Sequence, residues 1–232
     1  MGSLAITWFG HSSFLVTTPG GKRIVFDPWL EGNPKCPPNT RIDKADLILL
    51  SHGHSDHSAD VVTVARATGA PVVVIHELSL WLGKKGLKNV TGMSIGGTIS
   101  VAGLDVTMTP AVHSSSVMEN ETIVYLGEPA GFVVRLEDKR AIYFAGDTAL
   151  FGDMALIKEM HKPEIAFLPI GDHYTMGPDA AARACQLLGV RQVVPMHYGT
   201  FPILTGTPEQ LKALVQPSGI DVLVLKPGET AQ

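Results

Sequence analysis

The chain begins with short apolar runs of strand character at 5–9, 13–17 and 23–27, rich in β-branched and aromatic residues. Pro19-Gly20-Gly21 parts the second from the third and supplies residues suited to positive φ. Residues 45–50 (ADLILL) are an unbroken apolar run, the pattern of a strand buried on both faces. The run stops at Ser51-His52-Gly53-His54-Ser55-Asp56-His57. From 58 to 68 the apolar positions 61, 62, 64, 65 and 67 follow helical spacing, with Gly69 placed as the C-cap. Residues 71–75 predict a second buried strand and 77–85 a short helix; strand patterns return at 98–101, 104–109, 131–136 and 141–145. The last third alternates helix (150–160, 178–188, 208–215) with strand (165–170, 192–196, 222–225). Such a pattern predicts an α/β architecture of two packed sheets with helices on their outer faces. The stretch 32–39 holds three prolines and reads as an ordered loop; with no Gly/Ser-rich or charged linker, one domain over 1–232 is expected.

Composition narrows the class. Hydrophobic residues make up 45% and charged residues 17% of 232, enough for a core and unlike a disordered chain. The net charge of −4 argues against nucleic-acid or anionic-membrane partners, which want a basic surface. No apolar stretch reaches 18 residues, and the start lacks the charged head and long apolar centre of a signal peptide, so a cytoplasmic protein outside the membrane is expected. A small-molecule substrate is the expected partner, with a homo-oligomer left open. Cys36 and Cys185 are too few for a disulfide framework or a thiolate metal site.

The chemistry lies elsewhere. His52, His54, Asp56 and His57 fall within six residues where a buried strand gives way to a helix. In extended chain, residues i and i+2 point the same way, so His52 and His54 can grip one ion, while Asp56 and His57 reach a second position. Imidazole and carboxylate suit zinc above all, with manganese, iron or nickel as alternatives, and one or two divalent ions are expected. The plain alternative is a polar helix start with Asp56 or Ser58 as N-cap. Four ligand-type residues in six positions outweigh it. Further ligands should sit at other strand ends, and three candidates do: His113 after 104–109, Asp147 after 141–145 and His197 after 192–196.

HGHSDH, then His113, GDT and MHYGT together resemble the metallo-β-lactamase superfamily. WFGHSSF at 8–14, DLILLSHGHSDH at 46–57 and IGDHYTMGPDAA at 170–181 are similar to its group of metal-dependent hydrolases related to ascorbate-6-phosphate lactonases. The resemblance covers essentially the whole chain and implies a four-layer αββα sandwich with its metal site at one edge of the two sheets. Carried over by position, it implies that His52, His54 and His113 hold one ion, that Asp56, His57 and His197 hold a second, and that Asp147 bridges them. A divalent ion lowers the pKa of a bound water towards neutrality, which would supply a nucleophile for an ester, lactone or phosphodiester-type bond. Asp56 is the first candidate to orient that nucleophile. His11, in the turn between the first two strands, and His173, past the strand 165–170, are further catalytic candidates, each balanced by a plain turn or loop role. His76 and His161 read as structural. The competing readings are an iron-dependent oxidoreductase on the same fold and a nucleic-acid-processing nuclease.

Overall fold

The computed structural model describes residues 2–232. Six strands come first: β1 (Ala5–Gly10), β2 (Ser13–Thr17), β3 (Arg23–Phe26), β4 (Leu47–Leu49), β5 (Val72–Ile75) and β6 (Val90–Met93). They lie in chain order in one sheet, with α1 (Ser55–Ser58), α2 (Val61–Thr68) and α3 (His76–Lys84) between the later ones. A second sheet holds β7 (Thr98–Val101), β8 (Leu104–Pro110), β11 (Ala130–Arg135), β12 (Ala141–Phe144), β13 (Ile165–Pro169), β14 (Gln192–Met196) and β15 (Asp221–Val222). Its intervening helices are α4 (Met154–His161), α5 (Pro178–Leu188) and α6 (Pro208–Val215). A hairpin of β9 (Ser116–Glu119) and β10 (Thr122–Tyr125) stands apart, and β16 (Thr230–Ala231) returns to pair with β1.

Alternation along the strands assembles the layers. Phe144 and Phe167 point from the second sheet into the core shared with the first. There Phe26 lies 4.6 Å from Phe144 and Phe14 lies 5.0 Å from Phe167, between ring centroids. Their neighbours Tyr143, Ala166 and Leu168 point the other way, onto Met154, Ile157, Ala181, Cys185 and Leu211 of α4, α5 and α6. Val61, Val64, Leu78 and Leu82 bring α2 and α3 onto the first sheet. The result is helix–sheet–sheet–helix, as the apolar runs and the resemblance implied. Each buried phenylalanine contributes about 1.5–3 kcal/mol, as do the valine, leucine and isoleucine side chains packed around this seam.

Strand direction then decides where the site forms. β3 runs parallel to β4, and β12, β13 and β14 run parallel to one another. β8 and β12 are both antiparallel to β11, so they share a direction. Asp147, His197 and His113, which follow β12, β14 and β8, therefore emerge at one edge. His52 follows β4 at the matching edge of the first sheet. β2 is antiparallel to β3, which returns the β1–β2 turn, with His11, to the edge where β3 ends.

Some boundaries differ from expectation. The helix expected from 58 breaks into α1 and α2: His57 and Ser58 donate their N–H groups to the His54 carbonyl, so the ligand motif itself winds into the first turn. His54, not Asp56 or Ser58, is the N-cap of α1, and no side chain caps it. Asp60, at the N-cap of α2, is occupied elsewhere, accepting from the N–H groups of Leu30 and Glu31 at 2.6 and 2.9 Å. Helix α4 starts at Met154 rather than 150, and β15 is two residues at 221–222 rather than a strand over 222–225. β6, the β9–β10 hairpin and β16 carried no readable signal, being short and largely polar or exposed. None of the helices among the described residues is long and apolar enough to cross a membrane.

Candidate metal centre

The sheet edge gathers all seven expected ligands. His52, His54 and His113 offer nitrogens within 4.8 Å of one another, and Asp56, His57 and His197 form a second such group. Asp147 lies between them: its Oδ2 is 2.9 Å from His197 Nε2, 3.3 Å from His57 Nε2 and 3.6 Å from His113 Nε2. The floor is sealed, with His52 and His57 fully buried and His197 2% exposed. Solvent enters past the Asp56 side chain, which is 28% exposed, and the part-exposed His54 and His113.

Three strand-end residues reach the cluster by left-handed backbone. His11, Asp27 and His197 have φ of 56°, 43° and 55°. Such conformations cost an L-residue about 1–3 kcal/mol and gather where function holds them. Here they turn the chain sharply enough to aim a side chain back over the strand end.

Asp27 was not singled out by sequence, and its buried carboxylate organises the floor. It accepts from Ser51 N–H at 2.7 Å and from the Ser51 hydroxyl at 2.6 Å, and its Oδ2 lies 2.7 Å from His57 Nδ1. The Ser51 hydroxyl has one proton, given to Asp27, so at 2.9 Å from His52 Nδ1 its oxygen accepts. Both rings are thereby oriented with Nδ1 on an acceptor and Nε2 turned into the cluster, the arrangement by which outer-shell partners orient metal-binding imidazoles. A carboxylate ending the apolar strand 23–27, in the phrase Phe26-Asp27-Pro28-Trp29, was the available signal.

His11 belongs to the cluster rather than to an ordinary turn. Its Nε2 lies 3.1 Å from Asp56 Oδ2, its Nδ1 2.9 Å from Thr200 Oγ1, and its ring 3.9 Å from that of His197. Burial lowers its pKa to about 4, although the hydrogen bond to Asp56 opposes that. A neutral His11 donates from Nε2 to the Asp56 carboxylate and accepts the Thr200 hydroxyl at Nδ1. Thr200 is the second partner that sequence reasoning missed. His173 is placed differently: it is exposed, its ring meets that of Tyr174 at 4.4 Å, and it makes no side-chain hydrogen bond among the described residues.

The electrostatics suit a cation. Burial pushes the pKa of His52 well below the usual imidazole value, and it lowers His54 and His113 likewise. Burial resists charge on His57, but the Asp147 and Asp27 carboxylates override it and hold its pKa well above the usual value. Asp147 stays ionised despite burial because His197 and His57 face it. Yet His57 Nε2 and Asp147 Oδ1 are buried without a hydrogen-bond partner. Orphaned donors and acceptors of this kind cost about 1–3 kcal/mol each, and converging lone pairs of imidazole and carboxylate are what a divalent ion satisfies. The donor set fits the expected metal.

Comparison with known proteins agrees. A family model described as the beta-lactamase superfamily domain matches residues 22–198. The chain is 48% identical over 229 residues to a protein of Solibacter usitatus named UPF0173 metal-dependent hydrolase, covering 99% of this chain and all of that one. It is equally 48% identical to a like-named protein of Koribacter versatilis, over 98% of this chain and 97% of the relative. Among solved structures, Igni18, described as a novel metallo hydrolase from the archaeon Ignicoccus hospitalis, superposes with a TM-score of 0.87 at 39% identity, over 98% of this chain and 97% of the other.

Proposed function

The chain belongs to the beta-lactamase superfamily domain family, and from that premise we propose that it is a metal-dependent hydrolase that adds water across an ester, lactone or phosphodiester-type bond of a small molecule. The observation that carries the reading is the convergence of two imidazole groups on Asp147. His52, His54 and His113 would hold one divalent ion, Asp56, His57 and His197 a second, and Asp147 would serve both. Zinc is the first choice of metal for this oxygen and nitrogen set without thiolates. Ions bound there would supply a Lewis acid and a water of lowered pKa.

The remaining steps belong to the protein's own side chains. His11 donates to Asp56 Oδ2 and so fixes the carboxylate's orientation at the mouth, where Asp56 Oδ1 has no hydrogen-bond partner among the described residues. That oxygen is free to accept a proton from an attacking water and hold it in line. Asp27 and Ser51 keep His57 and His52 oriented with Nδ1 on an acceptor and Nε2 towards the position an ion would take. The floor beneath is buried, which strengthens the charge interactions made there.

The test is reconstitution with zinc or manganese above pH 7, elemental analysis, and a hydrolysis screen over phosphodiesters, lactones, thioesters and β-lactams. One or two ions per chain with turnover of at least one class is the expected result. No bound metal and no turnover would overturn the reading, while oxygen uptake by the iron-loaded protein would favour an oxidoreductase instead.

A further inference from the structure

Seven segments build the site and its rim: residues 10–13, 27–30, 51–58, 111–116, 145–151, 170–177 and 197–206. None of the chain's 18 lysines and arginines falls in any of them. The only charged residues they contain besides histidine are Asp27, Asp56, Asp147 and the exposed Asp172. Three of these carboxylates already balance most of the charge that two divalent ions would bring. An anionic group on a substrate, beyond the atoms under attack, would therefore meet no cation and one exposed carboxylate. Phosphate recognition ordinarily recruits arginine, lysine or a helix N-terminus; the rim offers no basic side chain, and the N-terminus of α5 after Gly177, with Pro178 and Asp179 in its first turn, is its only long-helix end. The stem of Lys35, outside the seven segments, packs near Gly10 and is the basic residue to control for.

Apolar side chains stand in place of cations. Val112, Leu150, Tyr174, Phe201 and Ile203 are each between 37% and 58% exposed. Single exposed apolar residues are ordinary, but these five sit on segments tied together around the metal ligands. Val112 N–H donates to Thr148 Oγ1 at 2.9 Å, Ala149 N–H to the Val112 carbonyl at 2.9 Å and Met176 N–H to the Thr148 carbonyl at 3.1 Å. Those bonds collect Val112, Leu150 and the loop of Tyr174 beside Asp147. The Gly206 N–H reaches the Gly171 carbonyl at 3.2 Å, joining that loop to the one bearing Phe201 and Ile203. The Phe201 ring in turn lies 5.8 Å from His11 and 6.1 Å from Trp29, at the edge of the cluster itself.

We propose that the site selects an uncharged acyl compound, an ester or lactone with an apolar substituent seated on Phe201 and its rim neighbours, over phosphorylated substrates. The inference deepens the hydrolase reading and rests on it. One water adds across the acyl carbon–oxygen bond: hydroxyl ends on the acyl carbon, its proton goes to the departing oxygen, and the products are a carboxylic acid and an alcohol. The acid ionises on release, and the rim has no basic side chain to retain it. A phosphorylated sugar lactone, the substrate class brought in by the sequence resemblance, would find no arginine or lysine for its phosphate on these segments.

The experiment compares 4-nitrophenyl esters of two to six acyl carbons with 4-nitrophenyl phosphate and bis(4-nitrophenyl) phosphate on the zinc-loaded protein. Each added methylene is expected to raise kcat/KM about fourfold, the burial of one CH₂, and Phe201→Ala should flatten that slope while Lys35→Ala leaves it unchanged. A second arm needs no turnover: NMR titration of the chelator-treated protein with octanamide and with octyl phosphate, where the amide should bind at least tenfold more tightly and Phe201→Ala should weaken both. A flat chain-length series, preference for either phosphate, or equal binding of the two octyl ligands overturns the proposal. So does a dimer in sedimentation that Phe201→Ala turns into monomer, because the rim would then be covered by a second copy. If the protein binds no metal and turns over no compound of either screen, but octanamide binding is strong and Phe201-dependent, the hydrolase reading fails and the apolar subsite stands.

Discussion

Asp27 and His57 are sealed together beneath the cluster, Oδ2 to Nδ1 at 2.7 Å with neither side chain exposed. The pair explains why His57 presents Nε2 to Asp147, and why one hydroxyl, that of Ser51, links both ligand groups: it donates to Asp27 and accepts from His52.

Asp27→Asn should therefore act through metal binding. The amide can offer His57 a donor where an acceptor is needed, and loss of an outer carboxylate typically weakens a site 10–100-fold. Competition with a chromogenic chelator should show about that loss in the Asp56–His57–His197 group and little in the other. Ser51→Ala should weaken the His52–His54–His113 group by roughly tenfold, because His52 loses its orienting contact, and the other group less, because His57 keeps its bond to Asp27. Equal affinity in the Asp27 variant would reduce this carboxylate to packing.

Asp56→Asn tests the mouth of the site. The fold should persist, since the side chain is part-exposed and holds no backbone group. Turnover on the best substrate of the screen should fall about 10³-fold, in the range for a lost general base. The check is kcat at matched metal content, and an unchanged kcat would remove Asp56 from the chemistry.

His173 is best probed as His173→Asn. Asp172 and His173 are consecutive residues in left-handed backbone, at φ of 64° and 56°, and asparagine tolerates that conformation where alanine is strained. The expected result is a fall of about 10² in turnover with metal content and thermal midpoint near wild type, since the exposed imidazole makes no structural hydrogen bond among the described residues. Unaltered kinetics would leave it a solvated loop residue.

The histidines also set a pH dependence for protein stripped of metal by a chelator. His11 has a folded pKa of about 4, below its usual 6.5, and His52, His54 and His113 are shifted the same way by burial. For a group so depressed, the stability contribution is complete above the unfolded value and is lost as pH falls from about 6.5 towards the folded pKa. His57, raised by its carboxylates, works in the opposite sense, its contribution fading only as pH climbs through its folded pKa. Four groups against one predict a thermal midpoint that drops between pH 7 and pH 5. Calorimetry showing a level or rising midpoint over that range would contradict it.

How much of this was written in the sequence follows from the range of the forces involved. Buried strands such as 45–50 announce themselves because both faces are apolar, and the HGHSDH segment, His113, Asp147 and His197 announce themselves because ligand types at strand ends are a local pattern. Parallel strand order then had to bring those ends to one edge, as it does. The partners that finish the site were not legible. Asp27, Thr200 and the place of His11 beside Asp56 depend on left-handed turns and on contacts spanning 30 to 189 residues, which no local periodicity encodes. Edge strands β6 and β16 and the β9–β10 hairpin were invisible for a related reason: their pairing partners, not their own patterns, hold them. The sequence by itself determined the layers and the metal-binding chemistry, since burial and ligand type are properties of residues; only the tertiary structure decided ring orientations, the outer carboxylate and the apolar rim, since those are properties of distances.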